Sequence, residues 1–237
     1  MLLQLDDNLP PPAQALPAVP RGVTLPELKL PDLYQGLRPA GPAQPTSLPA
    51  AMSEAETALL SALAAKAARV VEFGCGGSTR IMLAAGAARI LSVDSDATWL
   101  QRVITSPEGE AACHAGRLTP WHVDIGPTGD WGWPSGPVSA DTAWRYWGAP
   151  WLVMPPAELV LVDGRFRIAC ALAAHGQLAQ GGHVAVHDWW PRRAYQEALA
   201  PFFDVVGSAG TLALLSPRNI GRAEIEAALE RHGTDPR

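Results

Sequence analysis

The sequence predicts an α/β domain built on a doubly wound, mostly parallel seven-stranded sheet with an antiparallel last strand, and three observations predict it. Short apolar runs of strand length alternate with helical stretches from Val70 onward, the pattern of successive βα units. Four of the first five runs end in an acid, at Glu72, Asp94, Asp163 and Asp188, and the remaining one reaches Asp124. Ligands of open α/β sheets bind beyond the carboxyl ends of the strands, so these acids converge on one rim. The last two strands are joined only by Gly207-Ser208-Ala209-Gly210-Thr211. That connection is too short for a crossover helix, so the pair runs antiparallel.

Taken in order, residues 1–50 form a proline-rich arm, with Pro10-Pro11-Pro12 and eight further prolines up to Pro49 that exclude regular helix or central strand. Ser53 and Glu56 have the spacing of a capping box, and Leu59, Leu60 and Leu63 follow at helical spacing, so a helix spans about 54–66. Strands are expected at Val70–Glu72, Ile90–Asp94, Leu118–Ile125, Leu159–Asp163 and His183–Asp188. The fourth is apolar throughout, as a strand covered on both faces should be. Helices are expected at Thr98–Ile104, at Arg165–Leu178 with Gly181-Gly182 as its stop, and at Arg193–Ala200. Phe203–Val206 and Leu212–Leu215 are the closing strands, and residues 217–237 carry a terminal helix over Glu224–Arg231.

The composition narrows the function. A chain of 237 residues that is 48% hydrophobic and 17% charged describes one globular domain, residues 51–216, with appendages. A net charge of -5 disfavours a nucleic-acid partner. The N-terminus lacks the pattern of a signal peptide, and no apolar run is long enough for a membrane span. Cys75, Cys113 and Cys170 are too widely spaced for a metal knuckle and fit a reduced, cytoplasmic setting. Homo-oligomerisation is left open.

The chemistry starts at the turn Gly74-Cys75-Gly76-Gly77-Ser78, between an apolar strand and an alanine-rich helix. Glycines let a ligand approach the backbone, and the helix offers unpaired N–H groups and its positive dipole end. Asp94, twenty positions after Gly74, suits the two hydroxyls of a ribose. A dinucleotide fingerprint would want glycine where Thr79 stands and an apolar residue where Glu72 stands, and Glu72 would repel a pyrophosphate. S-adenosylmethionine has no phosphate and carries an ammonium and a sulfonium, both favoured by a carboxylate expected to face the crevice.

On these residues the chain resembles a known family. Glu72-Phe73-Gly74-Cys75-Gly76-Gly77-Ser78 looks like the first motif of the class I S-adenosylmethionine-dependent methyltransferases, and Val93-Asp94-Ser95 looks like their second. Leu161-Val162-Asp163-Gly164, Gly181-Gly182 and Val186-His187-Asp188-Trp189-Trp190 are similar to one bacterial methyltransferase-domain subgroup. The resemblance covers roughly residues 52–216 and implies the Rossmann-like methyltransferase fold with S-adenosylmethionine as cofactor. It implies that Glu72 and Gly74, Cys75, Gly76, Gly77 and Ser78 hold the methionine part. Asp94, with Ser95 beside it, would take the ribose, Asp124 and Ile125 would meet the adenine, and Asp163 would lie beneath the methyl group.

For the reaction, Asp163, His187 and Asp188 are the candidate catalytic residues, with His187 as a general base of near-neutral pKa. A second reading has Asp163 and Asp188 ligating a divalent cation. Metal-dependent members of the family carry Asp-Asn after the fifth strand, where this chain has His-Asp, so the metal is not favoured. Residues 126–157 hold Trp131, Trp133, Trp144, Trp147 and Trp151. They form either a self-packed satellite core or a lid and acceptor wall, completed by Trp189 and Trp190. Arg165 and Arg167 stand where an acidic acceptor group would be met. The expected activity is O-methylation of a small molecule or sugar. The alternatives are aminopropyl transfer on the same scaffold, a non-catalytic S-adenosylmethionine-binding or regulatory protein, and a nicotinamide-dependent reductase.

Overall fold

The Ser53 hydroxyl accepts the Glu56 N–H at 3.3 Å while the Glu56 carboxylate accepts the Ser53 N–H at 2.6 Å, closing the capping box that starts helix α1 (Glu54–Ala64). The computed structural model describes residues 48–237 together with Pro17 and Val19, so nearly all of the proline-rich arm lies outside the described residues. After α1 the chain alternates as expected through β1 (Arg69–Phe73), α2 (Gly77–Ala84), β2 (Arg89–Asp94) and α3 (Ala97–Ile104). It continues through α4 (Pro107–His114), β3 (Leu118–His122), α5 (Ala140–Trp147), β4 (Ala157–Val162), α6 (Arg167–His175) and β5 (Leu178–Val186). The end of the chain holds α7 (Arg193–Leu199), β6 (Phe203–Ala209), β7 (Leu212–Pro217) and α8 (Arg222–His232).

The seven strands lie in the order β3-β2-β1-β4-β5-β7-β6. Strands β1 to β5 pair in parallel, and β7 runs antiparallel to both of its neighbours. Side chains of a strand alternate between faces, and the two faces have separate cores. Val70, Ile90, Leu159 and Leu161 pack with Leu60 of α1 and Met82 of α2. Val71, Phe73, Leu91, Val160 and Val162 pack against the alanine-rich α6 and a group of aromatic side chains. Among the described residues no helix is long and apolar enough to cross a membrane.

Several boundaries differ from the sequence reading, each for a local reason. Gly181 and Gly182 do not stop a helix. They lie inside β5, where the pairing with β4 shifts register, and a Cβ on Gly182 would fall 2.8 Å from the Ala157 carbonyl oxygen. The helix ends instead at Gly176, and it begins only at Arg167 because Phe166 takes a left-handed conformation at φ 53°. Helix α4, unforeseen, is opened by Ser106, whose hydroxyl accepts the Gly109 N–H, with Pro107 at its first position. The third strand ends at His122 rather than at Ile125.

The tryptophan-rich segment divides. Trp144, Trp147 and Trp151 are fully buried in the core beside α6, with the Trp151 ring centroid 6.4 Å from that of Phe73. The Trp147 indole N–H donates to the Gly233 carbonyl at 2.9 Å, which fastens α8 to the domain. Trp131 and Trp133 stay at the surface, 73% and 36% exposed. Replacing Trp147 by Ala should therefore cost about 3–5 kcal/mol of stability in chemical denaturation. Trp131→Ala should change it by less than about 0.5 kcal/mol. Equal costs at the two positions would contradict this division.

Candidate active site

Beyond the carboxyl ends of β1, β2, β4 and β5 lies a cavity of about 370 Å³. Backbone hydrogen bonds continue from strand to strand past the ends of the ladders. Gly74 N–H donates to the Val93 carbonyl and Asp163 N–H to the Phe73 carbonyl, both at 2.8 Å. His187 N–H donates to the Val162 carbonyl at 3.1 Å. The turns after β1 and β4 thereby touch. Gly74 has φ +96°, and a Cβ there would stand 2.5 Å from the Gly164 nitrogen, so only glycine allows this approach.

Gly74, Cys75, Gly76, Gly77 and Ser78 line one wall of the cavity, with Asp94 and Ser95 beside them. The Asp94 carboxylate accepts the Cys75 N–H on one oxygen and the Asp96 N–H on the other, each at 2.8 Å. Asp94 does not cap a helix. Asp96 does that, accepting the Thr98 N–H. Burial raises the Asp94 pKa against the opposing effect of the two backbone donors. Gly76 is open, with the Trp99 ring 4.0 Å from where a Cβ would lie. Pro49, Ala50, Ala51 and Met52 close the same end of the cavity, and a Cβ on Gly77 would collide with Ala50.

Three residues expected to meet the cofactor lie outside the cavity lining. Glu72 is the penultimate residue of β1 and shares the face of Val70 rather than pointing past the rim, so it lies beneath α2, fully buried and outside the cavity lining. Its carboxyl accepts the hydroxyls of Ser78 at 2.6 Å, Thr79 at 2.7 Å and Ser92 at 2.6 Å. Thr79 in turn accepts the Gly76 N–H at 3.1 Å, so Glu72 holds the glycine turn from behind. Asp124 is exposed beyond the short β3 and accepts the N–H of Gly126, turning its own loop. Ile125 is a core residue, 5% exposed. Neither lines the cavity.

At the opposite wall Asp163, His187 and Asp188 come together, as expected of the candidate catalytic group. Asp163 Oδ1 lies 3.1 Å from His187 Nδ1 and 3.0 Å from Arg167 Nη2. Arg167 also reaches Asp188 at 3.2 Å, and Arg192 reaches it at 3.3 Å. His187 Nε2 turns away from open solvent toward Glu56, 3.6 Å distant. Burial alone would lower the His187 pKa, but the hydrogen bond and charge of Asp163, with Asp188 and Glu56, raise it. Burial alone would likewise raise Glu56, yet hydrogen bonds from Ser53 and Thr211 bring it down to about 2. The expected free base is thus an imidazole held among three carboxylates that favour its protonated form, with Asp163 as its main partner.

The metal reading meets a specific obstacle. Ligating atoms of Asp163, His187 and Asp188 lie within 4.8 Å of one another. The buried Arg167 guanidinium already binds both carboxylates, however, so a divalent cation would have to sit beside a fixed positive charge. The donor set does not fit a metal.

Sequence reasoning missed several residues of the cleft. Trp99 and Arg192, which the sequence reading does not single out, line the cavity, and Glu56, which it reads only as a helix cap, lies behind the lining next to His187. The 155-residue separation between Glu56 and its partner Thr211 leaves no local signal. Of the proposed aromatic wall, Trp131 and Trp133 line the cavity, whereas the buried Trp189 and the exposed Trp190 do not.

The strand order with its reversed seventh strand, the glycine turn and the carboxylates at the tips of β2 and β4 define a class. The chain has the Rossmann-like methyltransferase fold. No family model matches the sequence, and no curated protein matches it either. Among solved structures it is similar to a methyltransferase-like protein from Silicibacter pomeroyi, with 29% identity over 80% of this chain and 98% of that one and a TM-score of 0.65. It shares its fold with the cofactor-bound Rv0187 from MTB, at 19% identity over 73% of this chain and 84% of that one and a TM-score of 0.52.

Glu72 gives a pH test. Burial raises its pKa from 4.5 to about 7, despite hydrogen bonds from Ser78, Ser92 and Thr79. Between those two values the native carboxyl keeps a proton that the unfolded chain has released, so stability falls as pH rises through this window. The contribution approaches about 1.4 kcal/mol per pH unit. Denaturation of Glu72→Gln across the same window should lack this fall, and identical pH profiles for variant and parent would refute the assignment.

Proposed function

We propose that the protein is an S-adenosylmethionine-dependent methyltransferase acting on an oxygen of a small molecule or sugar. The observation that carries the donor side is Asp94. Its carboxylate sits at the tip of β2 in the open cavity, with both oxygens oriented by backbone N–H groups and lone pairs left for a pair of ribose hydroxyls. The backbone at Gly74–Ser78, bare of bulky side chains, suits the methionine part. When bound, S-adenosylmethionine supplies a methyl group already activated by a sulfonium.

The remaining work falls to positioning and to one proton. Asp163 lies on the cavity wall beside the glycine turn. Arg167 and His187 both donate to its Oδ1, which leaves Oδ2 without a donor among the described residues. Asp163 Oδ2 is therefore the proposed acceptor of the hydroxyl proton as the new carbon–oxygen bond forms. His187 and Arg167 fix the carboxylate's orientation, and Asp188 lies within ion-pair distance of both.

S-Adenosylhomocysteine should raise the melting temperature of the protein, and NAD should not. Asp94→Ala should weaken the nucleoside ligand about 10–100-fold, the loss expected for hydrogen bonds to a charged group. Stabilisation by NAD alone would end the methyltransferase reading. Transfer of labelled methyl to a pool of small hydroxyl compounds should be abolished in Asp163→Asn and strongly reduced in His187→Ala, both keeping the thermal response to S-adenosylhomocysteine. Donor binding with no transfer to any acceptor would leave a non-catalytic, donor-sensing protein as the better account.

A further inference from the structure

Almost every charge on the acceptor wall has an opposite partner. Arg167 spans Asp163 and Asp188, Arg192 joins Asp188, and His187 lies between Asp163 and Glu56. Arg165 is the exception. It is 6% exposed and lines the cavity, yet no carboxylate pairs with it among the described residues, and its Nε is buried without a hydrogen-bond partner. Its guanidinium lies against the Trp133 ring, 4.5 Å from the centroid. A cation over an indole face is attracted to it, but the ring accepts none of the guanidinium's five hydrogen bonds. Burial and the neighbouring charge of Arg167 lower its pKa.

A cation with no opposite charge beside it and its Nε shut off from any partner is costly unless something completes it. The backbone holds it there. Arg165 N–H donates to the Tyr146 hydroxyl at 3.3 Å, and its carbonyl accepts from the Cys170 thiol, so the residue is fixed in the turn that carries Asp163. Its place two residues after Asp163, in the turn that packs on Gly74, sets it on the cavity lining close to the proposed proton acceptor. We infer that the methyl acceptor is a small anion whose carboxylate or phosphate binds the Arg165 guanidinium, with Trp133 as the ring against which that pair is held. This rests on the methyltransferase reading and adds to it the chemical class of the acceptor. A planar guanidinium with a free fork suits a carboxylate or phosphate edge-on. The anionic group then anchors the molecule, and its hydroxyl reaches Asp163.

The test uses the full chain saturated with S-adenosylhomocysteine. Inorganic phosphate and 2-hydroxybenzoate, which carries an anion and a nucleophilic hydroxyl together, are titrated in while tryptophan fluorescence and melting temperature are followed. At least one should bind and change the fluorescence. Arg165→Gln should weaken that binding about tenfold or more, and Arg165→Lys should restore part of it. Because the native cation is unpaired, Arg165→Gln should also melt no lower than the parent in the absence of anions. A marked drop in its melting temperature would instead show a structural role and overturn the inference. So would equal anion binding by parent and Arg165→Gln, or no anion binding by the parent. Loss of S-adenosylhomocysteine affinity in a folded Arg165→Gln would mean that the guanidinium serves the donor's carboxylate, and would also overturn it. Failure of the parent to bind S-adenosylhomocysteine is a separate result. It would remove the methyltransferase reading, and this inference with it.

Discussion

A single buried carboxyl, Glu72, links three elements of the fold. One side chain takes hydroxyls from β2 and from two consecutive residues of α2, and through Thr79 it reaches the backbone of the glycine turn. Without it three hydroxyls would be stranded in an apolar interior, where each unsatisfied group costs about 1–3 kcal/mol. With it, the turn between β1 and α2 is fastened from below and open from above. The open face of Gly74–Ser78 is thus a product of what lies under it. A carboxyl with three donors around it can stay protonated or ionise without leaving any oxygen unpaired.

The opposite wall follows a different rule. There the chain gathers Asp163, His187, Asp188, Arg167 and Arg192 in an alternating arrangement, so that each charge has an opposite neighbour. Burial alone would raise Asp188, but the charges of Arg167, His187 and Arg192 hold it low. An arrangement of this kind keeps Asp163 at a fixed angle to the cavity. It also makes an unmatched charge stand out, and Arg165 is the one that does. The two walls thus divide the work, hydroxyl and backbone donors on one side and paired ions on the other.

Much of this was legible in the sequence because it depends on local period and on spacing. Strand type, strand order class and the antiparallel end follow from apolar runs and from the shortness of one connection. Asp94, Asp163 and Asp188 could be placed at the cavity rim because they stand at the ends of apolar strands. Glu72 was misplaced for a reason equally present in the sequence. It is two residues from Val70 and so shares that residue's face, whereas Phe73 is the strand's last residue. Asp124 misled because β3 stops two residues before it. The partnership of Glu56 with Thr211 and His187 had no signal at all, since it joins the first helix to the last hairpin. The split among the tryptophans was equally hidden, because indole burial here is decided by α6 and α8, far along the chain.

The collision that bars a side chain from Gly77 has a consequence of its own. The atoms in the way belong to Pro49 and Ala50, not to a ligand. Residues 49–52 therefore act as a strap across the end of the cavity, although they precede the first helix and belong to no strand or helix. A chain shortened to begin at the capping serine would keep all seven strands but lose that strap, and with it Leu48, which is buried in the core under α1 and α2. A domain boundary drawn from secondary structure alone would leave behind a wall of the site.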